Sequence, residues 1–177
     1  MLRADLLQLN TRTHMSRHYN VLFLCTGNSA RSIMAEAILN AKGGPNFTAY
    51  SAGSHPAGYV HPGALKQLAS ANLPTEGLRS KIWDEFEGHG APALDFVFTV
   101  CDNAAKEVCP VWSGHPMTAH WGVPDPAAVR SSHQATEKAF RDAFFQLDRR
   151  ITLFLGIPLA KLDEVALNEE LRNIGRR

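Results

Sequence analysis

Residues 25 to 32 read Cys25-Thr26-Gly27-Asn28-Ser29-Ala30-Arg31-Ser32, directly after the apolar run Tyr19-Asn20-Val21-Leu22-Phe23-Leu24 and directly before a helix-like stretch from Ile33. This order commits the chain to a strand, a tight loop and a helix. Five small or polar residues between Cys25 and Arg31 let the backbone curl around a tetrahedral anion, with Thr26, Gly27, Asn28, Ser29 and Ala30 turning N–H groups inward. Arg31 closes the ring with a two-pronged guanidinium. Gly27 and Asn28 accept left-handed backbone geometry, and Ser32 can offer a hydroxyl to the sulfur. A cysteine among such donors at a helix N-terminus is expected to be largely thiolate at neutral pH. The spacing points to phosphate or a close relative as ligand.

At 177 residues the chain suits one domain, read as a catalytic unit over residues 17–177 behind a flexible extension at 1–16. The net charge of +1, with acids and bases interspersed, argues against nucleic acid or an anionic membrane as the main partner. No apolar stretch is long enough to span a bilayer and no signal-type leader is evident, so a cytoplasmic location is expected. Three cysteines suit reactive thiols in a reducing compartment better than a disulfide scaffold.

Apolar runs at 19–24, 46–50, 94–100 and 117–121 read as strands, and helical patterns cover 32–42 and 62–72. Further helices are expected over 134–155 and 159–173. The expected fold is α/β, a small doubly wound, about four-stranded parallel sheet flanked by helices. Such a sheet binds ligands at the carboxyl ends of its strands. Cys25, Cys101 after Phe96-Val97-Phe98-Thr99-Val100, and Asp125 after the run ending at Trp121 all fall at that rim. Asp125 lies between Pro124 and Pro126, and a stiff loop suits a general acid. Phe140, Phe144 and Phe154 fall at helical spacing and are read as core.

With the loop at the N-terminus and Asp125-Pro126 far downstream, the sequence resembles the low-molecular-weight protein tyrosine phosphatase fold. Within it the chain looks most like arsenate reductases, on the segments Thr99-Val100-Cys101-Asp102-Asn103-Ala104-Ala105-Lys106-Glu107-Val108-Cys109-Pro110 and Ala119-His120-Trp121-Gly122-Val123-Pro124-Asp125-Pro126. The resemblance covers about residues 19–155. It implies thiolate attack of Cys25 on arsenate, with phosphate as a competing anion, while Arg31 and the loop N–H groups steady the charge and Asp125 protonates the departing hydroxide. Cys101 then forms a disulfide with Cys25, and Cys109 takes the oxidation over. No tightly bound cofactor or metal is implied. The reductant is an external thiol system, thioredoxin or glutathione with glutaredoxin, and the segment from Asp102 to Pro116 is expected to loop out when Cys101 and Cys109 join. Seven residues separate these two cysteines, a longer gap than in the thioredoxin-coupled group.

Two other readings compete. A phosphatase acting on phosphotyrosine or a small phosphoester needs only Cys25, Arg31 and Asp125, but Ala127-Ala128-Val129 stand where such enzymes usually carry tyrosines. A zinc or redox module built on Cys101, Cys109, His115 and His120 misses the usual ligand spacing. His55, His61, His89 and His133 are read as solvated. Some arsenate reductases of this type hold a potassium ion behind the loop, and Asn28, Glu36, Ser51 and Asp84 are the counterparts the resemblance implies.

Overall fold

The computed structural model describes residues 17–177. The expected extension at 1–16 lies outside the described residues.

Four parallel strands form one sheet in the order β2-β1-β3-β4, where β1 is Tyr19–Leu24, β2 Phe47–Ala52, β3 Phe96–Thr99 and β4 Met117–His120. The connections supply helices α1 (Arg31–Lys42), α2 (Pro62–Ser70) and a short α3 (Asp102–Lys106). Two long helices close the chain, α4 (His133–Leu155) and α5 (Glu164–Gly175). The α/β class and the strand positions agree with the sequence reading. The last helix begins later than expected because Asp163 caps it, accepting the Ala166 N–H at 2.8 Å, a standard helix start. α3 occupies the start of the segment expected to loop out on disulfide formation.

Parallel strands buried on both faces carry near-continuous apolar residues, as β1 does. Val21 and Phe23 face a large core with Met34, Ile38 and Leu39 of α1, Leu68 of α2, and Phe140, Phe144 and Phe154 of α4. The α4 aromatic stripe is core, as read. Leu22 and Leu24 face a thinner layer, where Phe86, Leu94 and Trp112 supply the cover in place of long helices. Trp121 stacks on Phe98 at 3.8 Å and donates its indole N–H to the Leu171 carbonyl. Among the described residues no helix is long and apolar enough to cross a membrane.

Backbone pairing continues past the strand ends, and this positions the rim. Cys25 N–H bonds Ala52 O, Val100 N–H bonds Leu24 O, and Val123 N–H bonds Val100 O. The three segments that carry Cys25, Cys101 and Asp125 therefore leave the sheet already fastened to one another.

Candidate active site

The loop between β1 and α1 is shaped by what its carbonyls do. Thr26 O accepts the His55 N–H, Gly27 O accepts the Ala57 N–H, and Ser29 O accepts the His61 N–H. Carbonyls turned outward leave the N–H groups facing in, which is the cradle the residue types imply. Ala30 stands at the N-cap of α1 and offers no side-chain cap, so the first-turn donors of that helix stay available to an anion. Asn28 takes φ of 41°, the left-handed conformation expected of Gly or Asn in this loop.

The sulfur of Cys25 lies at the bottom, 4% exposed. It receives the Asn28 N–H at 3.2 Å and lies 2.9 Å from Ser32 Oγ. The direction of that last bond follows from its neighbours. Lys81 N–H donates to Asn28 Oδ1 at 2.8 Å, so the amide nitrogen of Asn28 faces Ser32 Oγ and donates to it at 2.8 Å. The Ser32 hydroxyl proton is then left to point at the sulfur. Burial pushes the Cys25 thiol up, opposed by the Ser32 hydroxyl and backbone N–H, while the Cys101 charge raises it and Arg31 lowers it. The expectation of a largely ionised Cys25 rests on the donors; the burial of a sulfur sealed under its own loop works against them.

Arg31 and Asp125 meet above the loop. Arg31 donates to the Val123 carbonyl at 3.0 Å and stands 3.7 Å from Asp125 Oδ2. Asp125 remains half exposed and accepts the Ala127 N–H, which caps the single turn Pro126–Ala128. Arg150, buried in α4, holds the carbonyls of Trp121 and Gly122 at 2.8 Å, which fixes the approach to Asp125.

Cys101 is buried, caps α3 by accepting the Ala104 N–H, and lies 3.8 Å from Thr26 Oγ1. The same Thr26 hydroxyl bonds Glu107 at 3.2 Å. Two thiols thus stand at one end of the loop. Cys109 is exposed and lines a separate cleft of about 630 Å³ with Trp112, His120, Arg172 and Arg176. Partial burial of its sulfur, and the charge of Glu107, push its thiol up. Val108 and Val111 beside it are 94% and 88% exposed.

The four residues of the zinc reading are engaged elsewhere or apart. His120 bonds Thr99 Oγ1 and Asp102 Oδ1, Cys101 faces Ala104 and Thr26, and among the described residues no group of three or more potential ligands gathers. His61 departs from the solvated reading. It is half-buried, caps α2 by accepting the Gly63 N–H and stacks on Phe140 at 4.7 Å. The potassium set does not fit an ion. The Nζ of Lys81 occupies the space beside Glu36 and Ser51, 2.8 Å from Ser51 O. Sequence reasoning missed Lys81, Ser80, whose hydroxyl bonds Gly27 O, and Arg150. Each is one lysine, serine or arginine without a local pattern to mark it.

The low molecular weight phosphotyrosine protein phosphatase family model matches residues 20–169. An arsenate reductase of Bacillus licheniformis is 34% identical over 134 residues, spanning 76% of this chain and 93% of the relative. One from Bacillus subtilis is 37% identical over 126 residues, or 71% and 84%. A crystal structure of arsenate reductase from Archaeoglobus fulgidus aligns with a TM-score of 0.60 and 27% identity, over 77% of this chain and 99% of that one. By its matched residues and its similarity to these proteins, the chain belongs to the low molecular weight phosphotyrosine protein phosphatase family and is related within it to arsenate reductases.

Proposed function

We propose that the protein reduces arsenate to arsenite in the cytoplasm, with residues 17–177 as the catalytic unit. The observation that carries this reading is the second buried thiol, Cys101, at the Thr26 end of the loop that holds Cys25. Hydrolysis of a phosphoester has no use for it.

In this scheme the oxyanion sits on the inward N–H groups of Thr26 to Ser32 under Arg31. The Cys25 thiolate attacks arsenic(V), a sulfur–arsenic bond forms, and the departing hydroxide takes a proton from Asp125 and leaves as water. The loop donors and Arg31 steady the charge that builds on the oxygens. The Cys101 thiolate then attacks the Cys25 sulfur. The sulfur–arsenic pair of electrons stays on arsenic, which leaves as arsenite(III), and the two sulfurs are left as a disulfide. Cys109 next attacks Cys101, frees Cys25 and closes a Cys101–Cys109 disulfide. Joining them requires Cα atoms within about 4.4–6.8 Å, and in this scheme the segment from Asp102 to Pro116 loops out as the buried Cys101 and the exposed Cys109 meet.

An external dithiol reduces that disulfide. The exposed Val108 and Val111 around Cys109 suit a protein reductant such as thioredoxin, since exposed apolar side chains beside a reacting group favour a protein contact. Steady-state arsenite formation with thioredoxin and its reductase, compared with glutathione and glutaredoxin, tests the coupling. Turnover sustained by the first system and lost in Cys109→Ser supports it, and equal turnover by the Cys109→Ser variant contradicts it.

One observation favours a second activity. Tyr59, His61, Arg130 and His133 line a cleft of about 490 Å³ that opens at Ser29 and Ala127, so an aromatic ring has a wall to lie against even without tyrosines after Pro126. Hydrolysis of p-nitrophenyl phosphate that survives Cys101→Ser would establish it as separate from reduction.

A further inference from the structure

Lys81 is a buried lysine that no step above employs. It is 9% exposed, where lysines ordinarily keep the ammonium in water. Its Nζ lies 2.8 Å from Ser51 O, 3.0 Å from Arg79 O, 3.4 Å from Ser51 Oγ and 3.8 Å from Glu36 Oε2. Carbonyls only accept, and the Ser51 hydroxyl proton goes to Glu36, so every neighbour asks Nζ for a proton. Three N–H groups of an ammonium match that demand, whereas a neutral amine has two. A buried charge so surrounded is stabilised by its partners and strongly destabilising once one is removed.

The same residue grips the anion loop through its backbone. Its N–H holds Asn28 Oδ1 and its carbonyl accepts the Gly53 N–H. Asn28 in turn orients Ser32 and donates its own N–H to the Cys25 sulfur. Side chain and backbone of one residue therefore tie the end of β2 to the far side of the loop.

We propose that Lys81 is a tethered cation that positions the loop, its ammonium drawing together Ser51, Glu36 and the Arg79 carbonyl so that Asn28 stays in the conformation that turns the N–H groups toward the oxyanion. Lys81 is a positioning residue for anion binding. The loop serves arsenate and phosphoester alike, so this inference does not depend on the reductase reading. Cutting the side chain back leaves two carbonyls, a hydroxyl and a carboxylate around open space. That oxygen set suits a monovalent cation of about the size of an ammonium ion.

The test uses the full chain and reads the protection of Cys25 from iodoacetamide by inorganic phosphate, followed on the Cys25 peptide by mass spectrometry. Two salts of equal ionic strength are compared, potassium chloride and tetramethylammonium chloride, whose cation is too bulky to enter and has no N–H. Wild type is expected to show the same phosphate midpoint in both. Lys81→Ala is expected to need about tenfold more phosphate in tetramethylammonium, a loss equivalent to about 1.4 kcal/mol, and to recover most of it in potassium. Lys81→Met, of similar length but uncharged, is expected to be weakened in both. Wild-type protection of Lys81→Ala in both salts overturns the proposal, as does an equal loss in both. Should Lys81→Ala lack a cooperative urea transition, Lys81→Met decides: wild-type protection overturns the proposal, and a tenfold loss with a native-like transition supports it. Arsenite is not measured, so failure of the reductase reading leaves this result interpretable.

Discussion

The loop around Cys25 and the segment from Cys101 to Cys109 carry the same functional group in opposite settings. Cys25 is sealed, and its neighbours are braced from three directions by residues 55–61, by Ser80 and by Lys81. Along the second segment exposure rises from Cys101 to Cys109. Cys101 is buried and caps a five-residue helix, while Cys109 is exposed between two exposed valines. A thiol that must meet a tetrahedral anion gains from donors fixed in advance. Thiols that must hand a disulfide outward need a backbone that can move, and a short helix held by few buried contacts opens at little cost. The gradient from Cys25 to Cys109 is one from a buried, braced thiol to an exposed one.

The largest effect expected is at the fixed end. Cys25→Ser should lower arsenite formation by roughly four orders of magnitude or more, since a nucleophile knocked out of a unit removes the whole. Residual activity near wild type would place the nucleophile elsewhere. Next comes the junction of the two regions. Cys101→Ser keeps the cap on Ala104, because serine is a preferred N-cap. It should therefore retain phosphate binding within about threefold, well under 1 kcal/mol, yet release no arsenite. Equal loss of both in anion protection and arsenite assays would make Cys101 structural and erase the contrast.

A smaller effect separates bracing from chemistry. A Cβ at Gly53 would meet Thr26 O at 2.3 Å and Cys25 O at 2.7 Å, both backbone atoms that cannot step aside. Gly53→Ala is expected to cost about 1–3 kcal/mol in urea unfolding and to weaken phosphate binding with it. Unchanged stability would show the loop to be softer than its hydrogen bonds imply. The smallest shift is at the sulfur itself. Burial raises the Cys25 thiol and Ser32 lowers it, so Ser32→Ala should move the midpoint of Cys25 alkylation by iodoacetamide to higher pH. At neutral pH the variant then alkylates more slowly. An unmoved midpoint would mean that the Ser32 proton points away from sulfur.

The parts legible in the sequence are those set by local pattern. Residues 19–42 carry strand, loop and helix in consecutive order, and the alternation of strands with helices fixes a parallel sheet whose carboxyl ends gather Cys25, Cys101 and Asp125. What escaped was the second layer. Lys81 and Asn28 are fifty-three residues apart, and a lysine in Arg79-Ser80-Lys81-Ile82 reads like any surface lysine until Gly53 pairs with Ile82 and draws the segment against β2. Arg150 looks like one of several charges on an amphipathic helix, and only the packing of α4 under the Trp121–Asp125 turn gives it two carbonyls to hold. The burial that opposes ionisation of Cys25 escaped for a related reason. Donors can be counted along a chain, but the depth at which a sulfur is buried is a property of the folded whole.

The most direct test of the account incubates fully reduced protein with arsenate and no added reductant, following arsenite release while free thiols are counted. About one arsenite per chain is expected, with two thiols lost from wild type and none from Cys25→Ser, as the two-electron stoichiometry of disulfide formation requires. No arsenite with all three thiols intact would contradict it and leave the loop to phosphoester chemistry.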